Sequence, residues 1–130
     1  MTEPALAKLT EELADLRLRV SRLEDEFAIA KILATYGPAV DGNAAETAGN
    51  LWTEDGTYDA QLVTFHSREE ITAMVSGDMH QDIIQNGAAH VVGTPLIHID
   101  GDKAVATCYG RLYRQDEGDR FYVWRVTAVR

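Results

Sequence analysis

Leu6, Leu9, Leu13, Leu16, Val20, Leu23 and Phe27 recur at alternating spacings of three and four, the heptad pattern of a helix laid against another helix. Lys8, Glu11, Glu12, Asp15, Arg17, Arg19, Arg22 and Glu24 occupy the remaining faces, and after Pro4 no Gly or Pro interrupts the segment. A helix lying along its own domain would carry a broader apolar face, so the narrow stripe favours a seam between subunits. The expectation is a helical extension over residues 1–26 that supports a homo-oligomer. From Phe27 the pattern widens to Ile29, Ile32, Leu33, Tyr36 and Val40, the stripe of a helix facing a domain core.

Gly37-Pro38 is expected to interrupt this helix and place a kink between Tyr36 and Asp41, because proline cannot donate to the carbonyl of Ala34. Asn43 with Glu46 reads as a capping box opening a second helix that ends near Trp52, and Ser67 with Glu70 as another opening a third. TEDGTYDA reads as a turn into a short strand, and DMHQDIIQNG as a less regular segment. From Ala88 onward, AAHVVGTPLIHI, AVATCYGRLYR and RFYVWRVTAVR are strand-length runs joined by DGDK and QDEGD, an antiparallel meander. Pro95 inside the first run implies a bulge or an edge position. Helix-rich first and strand-rich second is the α+β pattern, with helices on a strongly bent sheet enclosing a small apolar cavity.

Composition narrows the partners. The 130 residues carry 21 acids against 12 bases, a formal charge of −9, and dispersed basic residues do not make a phosphate-binding surface, so nucleic acid is set aside. No apolar run approaches the roughly 18 to 20 residues that span a bilayer, and MTEPALAKLTEEL is too acidic and interrupted for a secretory signal. No membrane contact and a cytoplasmic location are expected. Cys108 is the only cysteine; it excludes an intrachain disulfide and reads as a buried reduced thiol.

Candidate chemistry is sparse. Asp41 closes an apolar helix face and can point into the cavity, although Asp-Gly-Asn is also ordinary helix-ending sequence. His90 opens the first long strand among small and apolar neighbours, where a histidine is either a core or edge side chain or a base. Tyr36 and Tyr58 can each donate a phenolic hydrogen bond from an apolar wall, or simply fill core. Arg111 and Arg125 lie in strands and are expected to face outward, the alternative being service to an anion in the pocket. His66, His80 and His98 show no ligand spacing with His90, so no metal is expected, and without a glycine-rich phosphate loop no nucleotide cofactor is expected.

LEDEFAIAKILATYGPAVD, then NLWTEDGTYD, then AAHVVGTPLIHIDGDKAVATCYGRLYR, in that order, resemble the SnoaL-like group of the nuclear-transport-factor-two-like superfamily over about residues 20–130. The order of elements is more specific than any single motif. The group includes scytalone dehydratase, bile-acid 7α-dehydratase, a dehydrochlorinase and ketosteroid isomerase relatives. The resemblance implies a conical α+β barrel over residues 27–130 with a pocket for a small hydrophobic molecule. It implies an Asp41–His90 dyad in which the carboxylate orients an imidazole base, with Tyr36 and Tyr58 as polarising donors. The dehydrochlorinase has lysine at the Tyr36 place, which turns the expectation toward dehydration or isomerisation of a cyclic, polyketide-like or steroid-like compound. Members carry one further strand after the run matching RVTAVR, so the domain is expected to lack its last strand or to complete its sheet with a partner. The fold also hosts non-catalytic binding and assembly modules, which is the alternative function.

Overall fold

The computed structural model describes residues 1–129. Helix α1 runs from Glu3 to Asp41 as one element of 39 residues. Gly37-Pro38 therefore does not interrupt it. Pro38 lies in the last turn, where a single donor is forfeited, and both Pro38 and Ala34 are exposed, so water can satisfy the freed carbonyl.

Helix α2 (Ala45–Gly49) is shorter than expected and does not use the Asn43–Glu46 box; its N-terminal flank is Ala44, with no side-chain cap. Asn43 instead takes a left-handed φ of 54°, the conformation that ends a helix. It thereby reverses the chain after α1, with its N–H on the Val40 carbonyl at 3.2 Å. Helix α3 (Arg68–Ser76) does start on the expected cap: the Ser67 hydroxyl accepts from the Glu70 N–H at 3.2 Å. The Glu70 carboxylate reaches back to the His66 N–H at 2.6 Å, one residue earlier than the usual box. The segment expected to be irregular forms helix α4 (Asp78–Ile84).

Strands β1 (Tyr58–Asp59) and β2 (Thr64–Phe65) make a short hairpin. The main sheet is built on the long β5 (Lys103–Gln115). On one edge β5 pairs antiparallel with β3 (Ala88–Val92) and then β4 (Leu96–Asp100). On the other it pairs with β6 (Phe121–Val129). The first expected strand is thus split at Gly93-Thr94-Pro95. Val92 pairs with Gly110 and Leu96 with Thr107, so the β3–β4 side holds one residue more than β5 across the break. That is a bulge at Pro95, and it inverts the later strand's faces. His90 pairs with Leu112 and His98 with Val105, seven positions apart on β5, so the two histidines face opposite sides. A second extra residue, Trp124, falls where Leu112 pairs with Arg125 but Tyr113 pairs with Val123.

The helices close over one face of this bent sheet, giving the expected α+β cone. Ala39, Val40, Ala48 and Val75 form a buried cluster, with Tyr36, Ala45 and Met74 packed on it. His80 is 6% exposed, and its Nε2 donates to the Val40 carbonyl at 3.0 Å, a structural role that satisfies a helix-end acceptor. The seven heptad residues from Leu6 to Phe27 are 46–73% exposed. No helix among the described residues is long and apolar enough to cross a membrane.

Candidate active site

The final turns of α1 hold Tyr36 and Asp41, β1 holds Tyr58, and β3 carries His90; all four converge. Asp41 grips His90 twice. Its Oδ1 lies 2.6 Å from Nδ1 of the ring, and its Oδ2 accepts the backbone N–H at 2.7 Å. The backbone bond holds the strand against the helix end independently of the side chain. A carboxylate can only accept, so the proton sits on Nδ1, and Nε2 keeps a free lone pair. Among the described residues Nε2 has no protein partner, and none of their buried side-chain nitrogens or oxygens is left unpaired. Nε2 is therefore accessible, in a side chain only 17% exposed.

This approach depends on Gly37. A Cβ there would fall 2.0 Å from the His90 carbonyl oxygen, so glycine lets α1 sit directly on β3. The Gly37-Pro38 pair is thus a contact device and not a break.

Tyr36 and Tyr58 share a hydrogen bond at 2.9 Å between their hydroxyls. The Tyr36 ring meets His90 and Trp52 edge-on, each at 5.9 Å between centroids, and Trp52 lies 5.3 Å from Tyr58. Burial pushes the Tyr36 phenol far above the usual tyrosine range, with its neighbours Tyr58 and Asp41 adding to the shift. It stays a protonated donor at any working pH. Both states keep the proton below about pH 10; above it the unfolded chain ionises first, so stability should fall as pH rises. Tyr36→Phe should flatten that alkaline decline, measured by chemical denaturation across pH 9 to 11, roughly the span where ordinary phenols titrate.

These groups line a mostly apolar cavity of about 730 Å³, a size suited to a small organic ligand. The cross-strand row of His90, Leu112 and Arg125 crosses its wall. Arg125 is half-buried and reaches the Ala60 carbonyl at 3.4 Å, and no carboxylate among the described residues pairs with it. The outward expectation is corrected for Arg125; Arg111 is exposed and lies at the cavity's border. Trp52 and Arg125 were not among the expected site residues. A charged residue inside RFYVWRV was a signal, but its face depends on the Trp124 bulge. His66 and His98 are exposed, and Cys108 is half-buried with its thiol pushed up by burial.

A bent sheet and helices enclosing a pocket of this kind define a protein of the nuclear-transport-factor-two-like fold. The chain belongs to the SnoaL-like domain family, whose model matches residues 21–130. It is 35% identical to an NTF2-like protein with a cystatin-like fold from Novosphingobium aromaticivorans, over 89% of this chain and 75% of that one, with a TM-score of 0.86. Aln2 from a Streptomyces species (11% identity, 82% of this chain, 75% of that chain, TM-score 0.67) shares the fold. So does ActVI-ORFA from Streptomyces coelicolor (16% identity, 82% of this chain, 95% of that chain, TM-score 0.55). No curated protein matches the sequence.

Proposed function

We propose that the protein is a cofactor-independent lyase or isomerase of the dehydratase type. Its substrate would be a small hydrophobic cyclic compound, polyketide-like or steroid-like, with an acidic C–H beside a carbonyl. The double grip of Asp41 on His90 in the wall of an apolar cavity carries this reading.

The chemistry needs only a proton's path and a place for developing charge. Nε2 of His90 takes the proton from carbon, and the Asp41 carboxylate stabilises the resulting imidazolium. The C–H electron pair moves toward the carbonyl, whose oxygen gains negative charge as an enolate. In a dehydration the enolate expels a β-hydroxyl, and the imidazolium returns the proton so that water leaves. In an isomerisation the same proton is delivered to a different carbon.

Two groups fit the developing oxygen charge: the Tyr36–Tyr58 hydroxyl pair and the Arg125 guanidinium, two strands from His90 in the same row. The Cα atoms of His90 and Arg125 are separated by roughly 10 Å, twice the strand spacing, a gap that one small ring with its carbonyl fills. Preorganised donors in a dry site stabilise such charge far better than water does.

The test is hydrogen–deuterium exchange or elimination, followed by NMR, on a panel of cyclic ketones and β-hydroxyketones. Wild type should accelerate one subset, and Arg125→Met should slow that subset while neutral hydrocarbon ligands still bind. A crystal complex with a turned-over compound in which Nε2 touches none of its C–H groups would remove the proposal. Conversion that persists without the His90 ring would remove the dyad as the base, whereas binding without conversion across the panel would return the chain to the binding or assembly modules of this fold.

A further inference from the structure

We infer that the N-terminal half of α1 pairs with the same segment of a second copy of this chain, as a parallel, in-register, two-stranded coiled coil. The inference is independent of the proposed activity. Its starting point is a helix that continues well beyond its own domain: Leu6, Leu9, Leu13, Leu16, Val20, Leu23 and Phe27 are all at least 46% exposed. Most of a helix's stability in a protein comes from packing of its apolar face and not from propensity. Here its C-terminal turns are anchored on β3, which supplies the nucleus, and the apolar stripe is left to find a partner.

The charges flanking the stripe choose the partner's direction. Leu6, Leu13, Val20 and Phe27 take the first core position of each heptad, and Leu9, Leu16 and Leu23 the second. The charged positions preceding a first core residue are then Glu12, Arg19 and Glu26, and the charged ones following a second core position are Arg17, Glu24 and Lys31, the last after Ala30; Ala5 and Thr10 fill these places in the first heptad. In a parallel pair the preceding residue of one helix meets the following residue five positions on in the other. That sets Glu12 against Arg17, Arg19 against Glu24 and Glu26 against Lys31, opposite charges every time. Each of the three preceding residues is already steadied within its own helix: Glu12 by Lys8 at 3.8 Å, Arg19 by Asp15 at 3.8 Å and Glu26 by Arg22 at 3.4 Å.

An antiparallel pair with Leu9 against Phe27 and Leu6 against Ala30 would instead set Glu12 against Glu26, Arg19 against Arg19 and Arg17 against Arg17. Sliding it by one heptad relieves the repulsion but leaves either Phe27 or both Leu6 and Leu9 without a partner. Leu9, Leu16 and Leu23 at second core positions with the β-branched Val20 at a first one favour two strands over three or four.

Light scattering on the full chain should give twice the 14.4 kDa of one copy. Leu13→Glu with Leu16→Glu should give the single mass while the near-ultraviolet spectrum of the folded domain is unchanged. For direction, Leu9→Cys in a Cys108→Ser background should form a covalent dimer under mild oxidation. Parallel pairing sets position 9 against itself, whereas full antiparallel overlap would separate the two copies by about 27 Å along the helix. Arg17→Glu should weaken the dimer about tenfold at low salt, and adding Glu12→Lys should restore it. A monomeric or trimeric wild type, a dimer that survives the double Glu variant, or a dimer that does not cross-link through position 9 would each overturn the inference.

Discussion

Replacing His90 by Ala should cut turnover by about 10²- to 10⁴-fold, roughly 3 to 5.5 kcal/mol of barrier, while the domain still folds. The fold survives because half of the contact with Asp41 belongs to the backbone: the Oδ2 bond to the His90 N–H, at 2.7 Å, needs no imidazole. What disappears is the group that accepts the proton. Loss of the ring and of its bond to Oδ1 should cost about 1 to 3 kcal/mol of stability, readable in a denaturant midpoint.

Asp41→Asn sharpens the test, since it keeps the shape and changes the proton inventory and the charge beside the ring. The amide oxygen can still accept from the His90 N–H. Its NH₂ then faces Nδ1 and donates to it, which moves the ring proton to Nε2 and blocks the base. Turnover should fall nearly as far as in His90→Ala, with ligand affinity kept. Asp41 is a positioning residue in this scheme, so its loss should appear in kcat and not in KM. Near wild-type kcat in both variants would mean that the proton moves elsewhere.

How much of this was legible in the sequence differs element by element. The long helix, the Ser67 cap and the β3–β6 meander follow from periodicity and turn chemistry, which are local. The Asn43 box failed because the same residue also suits a helix end, and the sharp reversal into α2 decides between the two. DMHQDIIQNG lacks a clear stripe because His80, a polar residue, is its buried member; its partner is the Val40 carbonyl, 40 residues away. The Asp41–His90 pairing could be read only through the resemblance, since each residue alone has an adequate structural explanation. Arg125 was misplaced for a related reason: alternation tells which strand residues share a face, but the bulge at Trp124 sets which face meets the helices.

The same separation between local and distant information governs Gly37→Ala, the substitution with the largest expected effect on the fold. By helix propensity alone it should stabilise, by about 1 kcal/mol, because Gly37 lies within α1. The contact across to β3 reverses the sign. The new methyl would sit 2.0 Å from the His90 carbonyl oxygen and 3.1 Å from its carbon, and neither backbone can yield by rotating a side chain. Helix and strand must part, and Asp41, one turn further along α1, moves with the helix away from the imidazole and N–H that it holds. Overpacking and the stretched charge-assisted bonds together should cost about 3 kcal/mol net, a fall of about 10 °C in melting temperature. A displacement of about 1 Å at the base should also lower kcat about 100-fold. Calorimetry and the downfield NMR resonance of the His90 Nδ1 proton read the two effects separately. A Gly37→Ala variant that melts higher than wild type, as an ordinary helical Gly→Ala does, would mean that α1 does not rest on β3 at this point, and the grip of Asp41 on His90 would fall with that contact.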